Sequence, residues 1–228
     1  MKKLVKSKEL RTMRVEISPL KINDSLYLKK NVFIVMFSTK SYLERKTGPY
    51  GIGRFSYLQS LVNEYQNTDD TDSKTQIMAN LANFAYDPIN YEYLRALNVI
   101  DLFLDGLEEQ DDQIVEFAVG GICNACNDLQ NKRHISDNGG IKLVINCLSR
   151  PSEETVLSAI TSLNYLVTPD SKADIVCLPV VECMLRLSKA KNPRLKNLAA
   201  VFLQDHCDSR IISQAEEIQK RNIGHFQS

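Results

Sequence analysis

Hydrophobic positions recur at three- and four-residue spacing from Phe55 onward, through Leu58, Leu61, Val62 and Tyr65. That is the period of one face of an α-helix. Almost no alternating stretch follows, and polar breaks such as NTDDTDS, YDP, EEQDD, NGG, RPSEE, TPDS and KNP divide the chain. Cap or first-turn residues stand where helices should begin: Asp72 or Ser73, Asp112, Ser152 before Glu153 and Glu154, and Asn192 before Pro193. A short polar side chain there accepts from unpaired first-turn N–H groups, and proline fits the first turn because it has no N–H to lose. The pattern predicts an all-α protein. Residues 1–48 differ: Pro19, clustered lysines and isolated Ile/Val/Leu pairs keep no sustained period, with room for one short element near Tyr27 to Phe37. They read as a basic, disordered head, closed by the turn-rich TGPYGIG, Thr47 to Gly53.

The helical part repeats itself. A shift of 41 pairs Asn83 with Asn124, Leu94 with Ile135, Ile100 with Ile141, Leu102 with Leu143, Leu107 with Leu148, Val115 with Val156 and Ala118 with Ala159. A shift of 40 carries Asn124 to Asn164, and a shift of 39 pairs Ile141 with Val180 and Leu148 with Leu187. A period near 40 with one short and two longer helices lies in the range of armadillo and HEAT arrays, about 40 to 47 residues. No unit of that kind buries its apolar face alone, so neighbours stack into a superhelix. The expected fold is an armadillo- or HEAT-type right-handed superhelix of about four repeats: 53–86, lacking the short first helix, then 87–127, 128–167 and 168–207. The expected division is a head over 1–48, a repeat domain over 49–208 and a capping helix and tail over 209–228, with Ile211, Ile212, Ala215 and Ile218 on one face.

Composition narrows the partners more than the fold. The 228 residues are 43% hydrophobic and 25% charged, ordinary for a soluble globular chain. The longest apolar run, Val32 to Phe37, is far short of the roughly 20 residues that span a bilayer. Lysines and arginines interrupt the first residues, so no secretory signal is expected. The six cysteines sit among apolar helical residues and read as reduced, core-filling thiols. Charge is zero overall, yet residues 1–46 hold 12 Lys/Arg against 4 Asp/Glu, leaving 16 against 24 for the rest. An acidic body binds phosphate backbones poorly, which favours a protein partner and leaves RNA only an indirect one.

Three stretches, LANFAYD from Leu81, ICNACND from Ile122 and LNYLVTP from Leu163, resemble the end of the third helix in armadillo repeats. GGIKLVINCLSRPSEETVLSAITSLNYL, Gly139 to Leu166, resembles most of one such unit. YLQSLVNEYQ, ANLANFAYDPINYEYLRALNVIDLFLDGL, VEFAVGGICNAC and PVVECMLRLS extend the likeness over about residues 50–207. MFSTKSYLERKTGP from Met36 reads as a natural start for such a protein, which places the head outside the likeness. The resemblance implies a non-enzymatic adaptor of the minor spliceosome, working in the nucleus and also compatible with cytoplasm. Its implied partner is an RNA-recognition-motif protein, and it implies no cofactor, metal, membrane or small-molecule substrate. A general scaffold for a cytoplasmic or ubiquitin-linked assembly is the alternative.

In armadillo units the third helix lines a groove, so the resemblance makes Asn83, Asn124 and Asn164 a candidate partner-binding column. An Asn amide both donates and accepts, and so can hold a partner's main chain without reading its side chains. One turn earlier on that face stand Ala79/Asn80, Gly120/Gly121 and Ile160/Thr161. Nuclear-import receptors of this class place Trp there, and this chain has none; the expectation is an open notch at Gly120 rather than a clamp for basic side chains. Asn80 and Gly120 join the candidates. Tyr86, Tyr91 and Tyr93 add an aromatic edge, since tyrosine buries a large ring while keeping a polar tip. The competing readings are that the amides satisfy nearby backbone, that the glycines permit close helix packing, and that the tyrosines pack between repeats. The acidic run from Asp101 to Glu116 could meet a basic partner or remain a solvated helix end. Cys123 and Cys126 have CxxC spacing but neither a βαβ setting nor a second pair, and His134, His206 and His225 lack metal spacing.

Overall fold

The computed structural model describes residues 37–225, and these form helices with no strand among them. In chain order they are α1 Lys40–Thr47, α2 Arg54–Asn67, α3 Thr71–Ala85, α4 Tyr91–Ala96, α5 Val99–Gly106, α6 Asp112–Ala125 and α7 Leu129–Asp137. Then follow α8 Gly140–Cys147, α9 Glu153–Leu166, α10 Lys172–Ile175, α11 Leu178–Leu187, α12 Pro193–His206 and α13 Ser209–His225. A 3₁₀ turn, Pro88–Asn90, leads into α4.

The long third helices form the spine: α3 packs on α6, α6 on α9 and α9 on α12. Each rests on the second helix of its own unit, α2 under α3, α5 under α6, α8 under α9 and α11 under α12. One continuous core runs along this stack from Leu58 to Phe202. That continuity follows from the period, because each unit covers the apolar face its neighbour exposes. A second cluster joins Val181 and Leu185 of α11 to Ala215 of α13, with Ile211 and Ile212 packed against it.

Local chemistry sets the corners. The turn from first to second helix needs a left-handed residue: Asn98 at φ 53° before α5 and Gly139 at φ 75° before α8, 41 positions apart. Gly meets that demand without a Cβ clash, and Asn tolerates it better than most residues. Ser152 and Asn192 cap α9 and α12 as the pattern indicates, accepting from Thr155 N and Arg194 N. Asp72, Ser73 and Asp112 lie in the first turns of α3 and α6, whose caps are Asp70 and Asp111. In an acidic run, spacing does not say which carboxylate leaves the helix first.

The N-terminal boundary also moves. α1 lies inside the segment read as a disordered head, with Thr39 Oγ1 accepting from Tyr42 N and Leu43 buried. The compact unit begins at Phe37 rather than residue 49, so a helix does precede the first helix pair. α1 carries few apolar residues and ends at a Gly, which is why periodicity misses it. The remaining head expectation, for residues 1–36, lies outside the described residues.

Candidate functional site

The third helices turn one side to the core and the other outward, and the outward side holds the candidate column. On α3, Asn83 is exposed and Asn80 half-buried, the latter within 3.5 Å of Gln76 Nε2, a long contact. On α6, Gly120 is open: an added Cβ would meet nothing within 4 Å. Its neighbour Gly121 is the reverse, since a Cβ there would lie 2.5 Å from the ring of fully buried Phe103. The adjacent glycines therefore have different causes, helix packing for Gly121 and an uncovered surface for Gly120. Ala79, Asn80, Asn83 and Gly120 make an uncharged strip over the first two third helices.

Two of the three column amides, Asn124 and Asn164, already make hydrogen bonds within the array. Asn124 Nδ2 donates to the Ala82 carbonyl of α3 at 3.0 Å, tying adjacent third helices together. Asn164 Nδ2 donates to Ile160 O in its own helix at 3.0 Å, and its Oδ1 faces His206 Nε2 of α12 at 3.2 Å. The tyrosines divide similarly. Tyr91 is buried and donates to the Asn124 carbonyl at 2.9 Å, so it packs between repeats rather than anchoring a partner. Burial first, then Cys126, Asp128 and Asp87, pushes its hydroxyl up to about 12, which keeps it a donor at neutral pH. Tyr93 is half-buried with its ring edge-on to Phe55 at 5.9 Å, while Tyr86 stays 45% exposed with Phe37 at 5.8 Å.

Asn90 and Asn131, each seven residues after Asn83 and Asn124, have a buried structural role. Asn90 Nδ2 donates to Phe84 O at 2.8 Å and Asn131 Nδ2 to Ala125 O at 3.1 Å, the same six-residue reach back to the end of a third helix. In the fourth unit Ser171 Oγ does this to Leu166 O at 2.7 Å. These groups satisfy carbonyls that a helix end leaves unpaired.

Sequence reasoning missed a set of polar clamps between repeats. Arg95 Nη1 donates to Asp128 Oδ1 at 2.8 Å and Asn131 Oδ1 at 2.9 Å. Asp101 meets His134 at 2.6 Å, Arg150 meets Asp112 at 3.0 Å, Ser152 Oγ donates to Glu116 and Arg194 grips Glu154 through two nitrogens. Much of the acidic run is thus occupied within the array. Opposite charges 33 to 40 residues apart, close to the repeat period, were the available signal. Cys126 and Cys147 are buried, and burial raises both thiols, Cys147 to about 11, so neither is a poised thiolate.

Stacked three-helix units around a third-helix spine define an armadillo solenoid, a class that binds partners along its extended surface. The chain belongs to the armadillo-repeat family. It is 52% identical over 170 residues to Armadillo repeat-containing protein 7 of Mus musculus, covering 74% of this chain and 86% of that protein. No family model matches the chain. Among solved structures it is similar to an engineered protein, with TM-score 0.60 and 18% identity over 70% of this chain and 68% of that one. It is also similar to computationally designed armadillo repeat proteins for modular peptide recognition, with TM-score 0.58 and 13% identity over 71% of this chain and 80% of that one. At those identities the likeness concerns the fold.

Proposed function

We propose that this protein is a non-enzymatic adaptor that holds an RNA-recognition-motif protein of the minor spliceosome in the nucleus. The observation that carries the binding role is the uncharged strip of half-buried Asn80, exposed Asn83 and uncovered Gly120 on stacked third helices. An exposed amide beside an uncovered glycine suits an extended main chain, which offers alternating donors and acceptors. The acidic balance of residues 47–228, 16 Lys/Arg against 24 Asp/Glu, makes direct binding to RNA phosphates unfavourable. The resemblance carried by residues 50–207 supports the splicing assignment and the nuclear location. Among the described residues no helix is long and apolar enough to cross a membrane.

Affinity capture from nuclear extract tests this reading. Tagged wild-type protein should recover an RNA-recognition-motif protein with other minor-spliceosome components, and the Asn80→Ala/Asn83→Ala variant should recover about tenfold less at unchanged melting temperature, the loss of one or two net hydrogen bonds. Recovery of metabolic enzymes alone, with no spliceosomal protein, overturns it.

A further inference from the structure

The 41-residue shift that pairs Asn83 with Asn124 also pairs Asp87 with Asp128, Asn90 with Asn131 and Arg54 with Arg95. Around Asp128 the three later residues form a closed unit, in which Arg95 Nη1 bridges Asp128 Oδ1 and Asn131 Oδ1 at 2.8 and 2.9 Å. The acceptors of the earlier set are built the same way. Asp87 Oδ1 accepts from Ile89 N at 3.3 Å as Asp128 Oδ1 does from Gln130 N at 3.0 Å, and both asparagines reach back to a third-helix carbonyl. The donor is what differs. Arg54 places its guanidinium over the Phe84 ring, 4.7 Å from the centroid, and makes no ion pair among the described residues.

Two acceptors are left underused. Asn90 is only 1% exposed, yet its Oδ1 has no hydrogen-bond partner among the described residues. An unpaired buried acceptor is costly, so it marks a place where a donor is expected. Asp87 Oδ2 accepts from Ser38 N at 3.0 Å, but Oδ1, the counterpart of the atom that takes Arg95, keeps only the long Ile89 contact. No cation faces this carboxylate among the described residues, whereas Asp128 has one. Tyr86, which precedes Asp87 in sequence, is 45% exposed, and Asp87 itself is half-buried.

We propose that Asp87 and Asn90 form an acceptor site for an arginine side chain supplied by a protein partner. Arginine fits better than lysine because its planar fork offers several fixed donors to two neighbouring oxygens, and the copy one repeat later already uses arginine. Tyr86, next to Asp87 in the chain and 45% exposed, offers an aromatic ring of the kind that suits a guanidinium face. The site extends the proposed binding surface beyond the uncharged strip, toward the tyrosine edge. It depends on the adaptor reading only for the identity of the molecule that brings the arginine.

The site is tested without that partner. N-acetyl-arginine amide is titrated into the ¹⁵N-labelled full chain, with N-acetyl-lysine amide as control. The arginine probe should produce saturable shifts at the Asn90 side-chain amide and the Ile89 N–H, and the lysine probe should not. Asp87→Asn, which keeps the cap acceptor but removes the charge, should weaken the response about tenfold. The Asn131 amide should stay silent in wild type and respond in Arg95→Ala, where the same unit has been opened. Absence of a saturable shift at Asn90 in wild type overturns the proposal. So does a response that appears only in Arg54→Ala, because Arg54 would then be the natural occupant. A failed capture from nuclear extract leaves these results standing, so the two readings fail separately.

Discussion

Replacing each of two adjacent glycines by alanine should move stability in opposite directions. Both lie inside α6, where glycine costs about 1 kcal/mol relative to alanine because its backbone loses more freedom on folding. At Gly120 the new methyl meets nothing within 4 Å, so Gly120→Ala should gain nearly that full amount. At Gly121 the methyl would fall 2.5 to 2.7 Å from three atoms of the Phe103 ring. That ring is fully buried and cannot swing into solvent. Overpacking of this kind costs about 1–3 kcal/mol; with three close ring atoms the upper part of that range applies, leaving Gly121→Ala less stable than wild type by about 1–2 kcal/mol. The two variants should therefore differ by roughly 2–3 kcal/mol, or about 4–12 °C in melting temperature for a domain of this size. Urea unfolding followed by circular dichroism measures this, with an unchanged m-value showing that the same surface is exposed in each case. Equal stability of the two alanine variants would refute the assignment of Gly121 to packing and Gly120 to an uncovered surface.

Removing Arg95 should cost more than removing Arg194, although both make ion pairs between repeats. Arg95→Ala leaves the buried Asn131 Oδ1 without its donor, a loss of about 1–3 kcal/mol, while Arg194→Ala breaks a pair with a 55%-exposed carboxylate, under about 1 kcal/mol; denaturant midpoints distinguish them. His206 should make the array less stable in mild acid. Burial lowers its affinity for a proton in the folded state, with Asp205 opposing and Lys172 assisting, so the unfolded chain binds more protons and stability falls as pH drops through the usual histidine range near 6.5. His206→Gln, which can still donate to Asn164, should show a smaller fall in melting temperature between pH 7 and pH 5; an identical fall would refute the linkage. Cys126 and Cys147 should resist iodoacetamide near neutral pH in the folded protein and react once urea unfolds it, as peptide mass spectrometry would report, because both thiols are buried and raised.

Legibility differed from residue to residue for physical reasons. The helices and their period were readable because an amphipathic face depends only on neighbours three and four positions away. Ser152 and Asn192 were readable as caps for the same reason, since a cap acts within its own first turn. The bonds of Asn90 and Asn131 reach back only six residues, a range that local spacing could still suggest. The donors and acceptors that close each clamp could not, because the hydrogen bond from Asn124 to Ala82 spans 42 positions and that from Arg95 to Asn131 spans 36. α1 escaped notice because it buries a single leucine, too little to generate a period.

By itself the sequence determined the all-α class, the repeat near 40 residues, the family and the face of each third helix on which the asparagines stand. Tertiary structure alone decided which of them bond within the array. Asn83, Asn124 and Asn164 carry the same amide at equivalent positions, but Asn83 is exposed, Asn124 holds the preceding third helix and Asn164 faces His206. An amide's chemistry is a property of the residue. Whether water, a partner or a neighbouring carbonyl satisfies it depends on what the next repeat brings within about 3 Å, and hydrogen bonds lapse within a fraction of an ångström beyond that reach.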